Sequence, residues 1–209
     1  MRSIRFVLAF ASLAGLLAAC NGGGATAPTM PTGNAFAFRF TESVGQFYRD
    51  YTGPQRPALN AIGADGSFVS STQTISLIAQ MAGPVFVGGP NYYVWGFDRG
   101  GATNAPFPDE PNVKFNAVVI VTADPANGTS LTATVNLLKG TPPVPVAAGL
   151  LAPDTIQVFV PASALPATGT IAASQYRWNL WPRNGLGGTP AAQIASFIPD
   201  NALATLLQQ

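Results

Sequence analysis

The chain contains one cysteine, Cys20, and no histidine, so the side chains that most often do chemistry are nearly absent. Catalysis of the Ser-His-Asp and Cys-His types needs an imidazole as the base, and many zinc, copper and haem sites need one as a ligand. A single cysteine has no partner for an intramolecular disulfide. Carboxylates and aromatic rings are therefore the groups left for catalysis or binding, and no cofactor is predicted.

Acidic residues are the first of these candidates. Asp98 precedes a proline-rich loop at residues 99–112 that carries Asp109 and Glu110, and these carboxylates could supply the oxygen ligands that calcium prefers. The spacing does not match the regular calcium-binding loop, and prolines make coordination from successive residues awkward. A solvated loop is the favoured interpretation, and calcium ligation is the alternative. Paired carboxylates also cleave glycosides without histidine, although no motif marks such a pair here.

Aromatic residues are the second group, because sugar rings stack on exposed aromatic faces. In this general respect the chain resembles carbohydrate-binding β-sandwich modules, although no motif names a family. Aromatic side chains also dominate the buried area of sandwiches, so Trp95 and Trp178 are predicted to lie in the core. Trp181 stands beside a proline and off the Trp178 face. It is predicted to be the most exposed ring, with Tyr92 and Tyr176 as further ligand-binding candidates.

The cysteine ends an N-terminal segment with the three parts of an export signal. Arg2 and Arg5 precede an uncharged run at residues 6–19, which is shorter than the roughly 20 apolar residues needed to span a bilayer. The run ends in Leu-Ala-Ala-Cys, with the cysteine at position 20. This ending resembles the lipobox of bacterial lipoproteins, and the resemblance covers only the first twenty or so residues.

In that family the cysteine thiol is alkylated by a diacylglyceryl group, the peptide is cut before it, and the new amino terminus is acylated. The resemblance therefore implies that Cys20 is lipidated and is the first mature residue. Several acyl chains, at about 0.8 kcal/mol per buried methylene, hold a protein on a membrane lastingly. Asn21 replaces the aspartate that usually signals inner-membrane retention, so an outer-membrane address in the bacterial cell envelope is favoured. An ordinary secretory signal on a soluble periplasmic protein is the alternative.

Charge gives no further partner. The chain has ten basic and nine acidic residues, and loss of Arg2 and Arg5 with the signal leaves eight basic ones. Nucleic-acid binding needs a basic footprint, so no nucleic acid is predicted as a partner. The predicted partners are the membrane, through the lipid anchor, and a glycan or another envelope protein.

The rest of the chain has the patterns of strands and turns. Residues 91–98 are apolar on both faces, which predicts a central strand with Gly96 at a bulge or a close backbone approach. Strands predicted at residues 113–123 and 131–137 flank Asp-Pro-Ala-Asn-Gly, a typical hairpin turn. Asp65-Gly66 also has hairpin character.

Near the C-terminus a strand is predicted at residues 171–181. Helical turns are predicted at residues 161–165, at Thr189-Pro190 and at Asp200.

These patterns predict an all-β fold: an antiparallel β-sandwich of about eight strands, with short helical turns near the C-terminus. A barrel is the alternative. The predicted organisation is a signal peptide at residues 1–19, a lipidated cysteine and flexible Gly/Pro/Thr-rich tether at 20–34, and a single β-sandwich domain at 35–209.

Three functions remain open. The favoured one is a non-catalytic, envelope-anchored lipoprotein that binds a glycan or another envelope protein, since the anchor fixes the domain at a surface and the tether gives it reach. The others are a structural envelope component and a histidine-free glycoside-cleaving enzyme.

Lipidation can be tested by metabolic labelling with a clickable fatty acid. We expect the label on the wild-type protein and on Asn21→Ser, and its loss from Cys20→Ser, because the thiol is the site of alkylation. Equal labelling of Cys20→Ser would contradict the lipid anchor.

Overall fold

Two six-stranded sheets pack against each other across the main apolar core. The computed structural model describes residues 37–209. The predicted signal peptide, Cys20, the tether and the first two residues of the predicted β-sandwich domain lie outside the described residues. The strands are β1 (Phe40–Thr41), β2 (Ala61–Val69), β3 (Thr74–Met81), β4 (Asn91–Asp98), β5 (Ala117–Ala123), β6 (Thr132–Asn136), β7 (Val144–Pro145), β8 (Ala147–Ala152), β9 (Thr155–Pro161), β10 (Arg177–Arg183), β11 (Ala204–Thr205) and β12 (Leu207–Gln208).

Strand order confirms the predicted antiparallel sandwich. The first sheet has the order β1-β2-β3-β9-β8, with β12 also on β2, and the second has the order β11-β10-β4-β5-β6-β7. Neighbouring strands are antiparallel except for β12, which runs parallel to β2. Eight of the strands have five or more residues, as the sequence predicted.

The main core contains the inward faces of both sheets. Trp95 on β4 and Trp178 on β10 are fully buried there, as predicted. The central position predicted for β4 is also confirmed, because it lies between β10 and β5. A Cβ atom on Gly96 would lie 2.3 Å from Cη2 of Trp181, so this glycine permits a close approach and is not at a bulge.

The β5–β6 hairpin forms at the predicted turn. The Asp124 carboxylate accepts a hydrogen bond from the backbone N–H of Ala126 at 3.0 Å, and another from the Asn127 side chain at 3.1 Å. Gly128 closes the turn with a φ of 82°, which L side chains rarely adopt. The local chemistry of the turn residues is therefore sufficient to specify this hairpin.

The predicted turn at Asp65-Gly66 is wrong, because both residues lie within β2. Asp65 forms an ion pair with Arg39. A Cβ on Gly66 would lie 2.7 Å from Nε1 of Trp178, so the glycine makes room for the indole. The chain turns instead at residues 70–73, between β2 and β3.

Two predicted strands begin later than expected. The strand predicted at 113–123 begins at Ala117, because residues 113–115 belong to the preceding loop, where Phe115 bridges Asn104. The strand predicted at 171–181 begins at Arg177, after a short 3-10 turn at Ala173–Gln175.

The predicted helical turns have mixed outcomes. Ala162–Ala164 forms a 3-10 turn and α1 (Pro190–Gln193) begins at the predicted proline, but Asp200 lies in a non-helical turn. Among residues 37–209, no helix is both long and apolar enough to cross a bilayer.

Strand β1 has only two residues, and side chains reinforce its position. Arg39, just before it, donates to the Asp65 carboxylate at 2.8 Å and to the carbonyl oxygens of Gly66 and Thr205 at 3.0 and 2.9 Å. The Phe40 ring meets Trp178 edge-on, with centroids 5.8 Å apart. These contacts attach the start of the described chain to the middle of β2.

The inward faces of β5 and β6 can be tested by truncation. Val119 and Val135 are opposite each other and fully buried, so Val119→Ala or Val135→Ala should lower the free energy of unfolding by roughly 1–4 kcal/mol in a urea titration. Val87→Ala is the matched control, because Val87 is 57% exposed and its truncation should cost less than about 0.5 kcal/mol. A small effect at both buried positions would contradict the packing of these strands.

Candidate functional site

The outward face of the second sheet carries a second buried cluster. Trp181 points to this side and is only 1% exposed, because loops from distant parts of the chain cover it. Its ring centroid lies 5.2 Å from that of Phe107, 4.9 Å from that of Phe115 and 6.3 Å from that of Phe197. The prediction that Trp181 is the most exposed ring is therefore wrong. Trp181 does lie on the face of β10 opposite to Trp178, as predicted. Loops cover that outward face, however, so the ring is buried.

The other aromatic candidates give no stacking platform. Tyr176 is 1% exposed and donates its hydroxyl to the Leu165 carbonyl at 3.0 Å, so it belongs to the main core and not to a ligand surface. Tyr92 is partly exposed, but it stands apart from the clefts described below. With Trp95 and Trp178 also buried, the three tryptophans present no face to a sugar.

A cleft of about 270 Å³ opens beside the Trp181 cluster, and we call it the acidic cleft. Three separate segments form it: residues 42–49, residues 109–110 and residues 196–200. Four of the nine acidic residues of the chain lie in its lining. These residues are Glu42, Asp109, Glu110 and Asp200.

A second hollow of about 210 Å³ adjoins the acidic cleft, and we call it the apolar pocket. Tyr48, Phe197 and Asp109 line both spaces. Tyr48 meets Phe197 edge-on, with centroids 5.3 Å apart. The apolar pocket is completed by residues 107–108 and 189–191. The two spaces together combine a negatively charged end with an aromatic and proline-lined end.

Buried asparagines hold the segments of the acidic cleft in place. Asn60 accepts a hydrogen bond from the Gly45 N–H at 2.6 Å and donates to the Gln46 carbonyl at 2.8 Å. Asn179 on β10 donates to the Ala202 carbonyl at 2.9 Å, which fixes the turn that carries Asp200. Because Asn60 and Asn179 are almost fully buried, they set the loop positions much as a turn residue would.

A further hydrogen bond joins two of the segments directly. The Asn201 side chain accepts a hydrogen bond from the Asn112 N–H at 3.1 Å, which places the loop bearing Glu110 beside the turn bearing Asp200. The first segment is joined to the third by the Tyr48 N–H, which donates to the Ala195 carbonyl at 2.7 Å. The acidic cleft is therefore formed by loops that are fixed to one another.

Glu110 is the most unusual group in the acidic cleft. Its side chain is only 9% exposed, and its Oε2 atom is buried without a hydrogen-bond partner among residues 37–209. Burial, and then the charge of Asp200, raise the pKa of Glu110, although a backbone hydrogen bond from Asn201 and the charge of Arg49 oppose the shift. The carboxyl group is therefore harder to ionise here than in water.

Two further carboxyl groups of the acidic cleft, those of Glu42 and Asp200, also have raised pKa values. Burial, with a smaller contribution from the Asp200 charge, raises the pKa of Glu42, and burial also raises the pKa of Asp200. Glu42 is half-buried, whereas Asp200 is exposed at the rim. The acidic cleft thus accumulates negative charge that the protein environment opposes.

Tyr48 and Arg49 set the electrostatics of the rim. The Tyr48 hydroxyl donates to the Asp109 carboxylate at 3.1 Å, and burial together with this hydrogen bond raises the pKa of Tyr48 to about 12. Arg49 lies 3.5 Å from the same carboxylate and 3.3 Å from that of Asp50. The Arg49 side chain is largely exposed, so these ion pairs contribute little to stability.

The predicted calcium candidates do not come together. Asp98 forms an ion pair with Arg177 and accepts a hydrogen bond from the Gly100 N–H, whereas Asp109 and Glu110 line the acidic cleft. Within residues 37–209, no three acidic, cysteine or histidine side chains stand close enough together to hold a metal ion.

Comparisons with protein-family models, with curated proteins and with solved structures found no match to this chain. Its function must therefore be argued from the acidic cleft.

Sequence reasoning identified Asp109 and Glu110 but missed Glu42, Tyr48 and Asp200 as members of the site. Glu42 follows β1 and Asp200 follows β10, and neither has a motif around it. Their convergence depends on loops folding across the outward face of the second sheet, which no local pattern predicts.

The raised pKa of Glu110 gives a stability prediction with a definite sign. A carboxyl group with a higher pKa in the folded state favours folding below its unfolded pKa, and this contribution is lost as the pH rises through the folded pKa. Glu110→Gln should therefore raise the free energy of unfolding by about 1 kcal/mol at pH 7, and the gain should vanish near pH 3, where both states are protonated. Chemical denaturation at the two pH values measures the difference.

Asp124→Asn is the matched control for this substitution. It also removes one carboxylate, but an asparagine can still accept the turn hydrogen bond at that position. We expect little change at either pH. Destabilisation by Glu110→Gln at pH 7 would mean that favourable contacts hold the carboxylate, which contradicts the assigned cause of its pKa.

Proposed function

We propose that the protein is a lipid-anchored, non-catalytic component of the bacterial cell envelope, favoured at the outer membrane, whose β-sandwich binds another envelope protein through the acidic cleft. The anchor rests on the lipobox at Cys20 and the tether on the composition of residues 20–34. One observation carries the binding role. Four of the nine acidic residues converge on a single cleft, and burial opposes the ionisation of three of them, Glu42, Glu110 and Asp200.

Carboxyl groups whose ionisation is opposed by burial support a binding role. Residues that reduce stability without a compensating contact in the free protein are typical of functional sites. The acidic cleft is also held by hydrogen bonds between its loops, so a partner would meet a surface that is already formed. A preformed site loses less conformational entropy on binding.

A protein partner is favoured over a glycan for a physical reason. Neutral sugars are recognised by stacking on exposed rings, and the tryptophans of this domain are buried. The acidic cleft instead offers negative charge next to the rings of Tyr48 and Phe197. That combination suits a positively charged segment of a protein surface.

A glycoside-cleaving enzyme remains the second candidate, and one observation favours it. A general acid for glycoside cleavage needs a carboxyl group with a raised pKa near a second carboxylate, and Glu110 near Asp200 has this character. Chromogenic glycosides test this candidate. Turnover that is lost in Glu110→Gln would replace the binding proposal with an enzymatic one.

The binding role can be tested in cells with a photo-crosslinking amino acid. At position 49, on the exposed rim of the acidic cleft, we expect a discrete crosslinked product with an envelope protein. Position 87 is the control, since Val87 is also well exposed and does not line the cleft. It should give no such product, because the partner is expected only at the cleft.

Three outcomes would contradict this proposal. Equal yields of crosslinked product at positions 49 and 87 would indicate random collisions and no specific binding site. Absence of a product at position 49, together with hits on a glycan array that disappear in Glu110→Gln, would establish a glycan ligand instead. No crosslinked product at position 49 and no hit on the glycan array would favour a structural envelope component.

A further inference from the structure

Three of the four carboxyl groups in the acidic cleft form no ion pair with the residues that the structure describes. Glu110 is nine-tenths buried and its Oε2 atom has no hydrogen-bond partner there. Glu42 and Asp200 form no ion pair with any of residues 37–209. Arg49, at the rim, is paired with Asp109 instead. The Glu110 carboxylate is met only by a backbone hydrogen bond from Asn201 and by the more distant charge of Arg49, so a cationic ligand would offset the cost of ionising it.

The arrangement fits an organic cation better than a metal ion. Calcium takes six to eight oxygen ligands at about 2.3–2.6 Å, and no three acidic side chains among the described residues are clustered in that way. An ammonium group has three N–H donors, which can reach separate acceptors at about 2.8 Å. One or two carboxylates can meet part of that requirement, because an ammonium group does not need a closed shell of oxygen ligands.

The apolar pocket indicates which kind of chemical group is attached to the cation. Tyr48 and Phe197 line both spaces, so a ligand with its charge in the acidic cleft would lay its body along their rings. Phe107 and two prolines extend the apolar surface beyond them. Aromatic faces attract cations, and their apolar area packs well against methylene groups. The two spaces together match an ammonium group on an aliphatic stem.

We propose that the acidic cleft binds the side-chain ammonium of a lysine on the partner protein, with its aliphatic stem against Tyr48 and Phe197. This inference rests on the proposed function and names the group that is recognised. Lysine is preferred to arginine because its compact charge stands on four methylene groups. A free diamine would offer the same chemistry, so the experiment must separate the two sources.

The test is an NMR titration of the full-length, ¹⁵N-labelled protein in neutral detergent micelles. The probe is a Gly-Lys-Gly peptide blocked at both ends, and the matched neutral probe is the same peptide acetylated on the lysine side chain. We expect saturable shifts at residues 45–48 and 107–110 with the first peptide, and at least about tenfold weaker binding with the second, because the charge is lost. Cadaverine and calcium chloride are titrated in parallel.

The matched variants are Glu110→Gln and Asp124→Asn. Glu110→Gln should weaken the binding of the lysine peptide by at least about tenfold. Asp124→Asn should leave the affinity for this peptide unchanged, because Asp124 caps a distant hairpin. Unfolding is not an explanation for lost binding, because Glu110→Gln is expected to be at least as stable as the wild type at neutral pH. Wild-type-like circular dichroism and melting temperature verify this.

The remaining outcomes each decide the matter. Tighter binding of cadaverine than of the lysine peptide would assign the site to free diamines and overturn the lysine proposal. Shifts with calcium and none with either amine would overturn it in favour of a metal. No shifts with any probe, while crosslinking at position 49 persists, would overturn amine recognition and leave the protein-binding function standing.

Discussion

Both faces of the second sheet are apolar, and this constraint determines where the long loops of the molecule go. The inward face packs against the first sheet around Trp95 and Trp178. The outward face carries Trp181 and two valines, which would be costly to leave in water. The loops that carry Phe107, Phe115 and Phe197 therefore fold across it. The acidic cleft exists because these loops meet at the edge of the Trp181 cluster, so the site depends on the second cluster for its geometry.

The fold class could be predicted because its signals are local. A run that is apolar on both faces identified β4, and the chemistry of Asp124 and Gly128 identified the β5–β6 hairpin without reference to the rest of the chain. The wrong predictions concern residues whose roles are set by tertiary contacts. Gly66 looks like a turn residue, yet its small size serves the indole of Trp178. Trp181 looked exposed because a period-two pattern shows which face a residue occupies and cannot show what covers that face.

The difference between local signals and tertiary contacts also explains how much of the site could be predicted. Asp109 and Glu110 attracted attention because they are neighbours in a proline-rich loop. Glu42 and Asp200 are distant in sequence, and they join the site through hydrogen bonds made by Asn60, Asn179 and Asn201. A buried asparagine that orders a distant loop has no sequence pattern, because its meaning depends on which backbone groups the fold brings near it. The electrostatic character of the acidic cleft was for this reason beyond sequence reasoning.

The short strand β1 has a mechanical consequence. Tension on the chain at residue 37 reaches β1 first, and it is resisted by two backbone pairings, the contacts of Arg39 and the edge of Phe40 on Trp178. The residues that follow β1 are those of the first segment of the acidic cleft, beginning with Glu42. A pulling force would therefore deform the acidic cleft while the long strands are still intact. This order of events makes the shape of the acidic cleft sensitive to tension on the chain at residue 37.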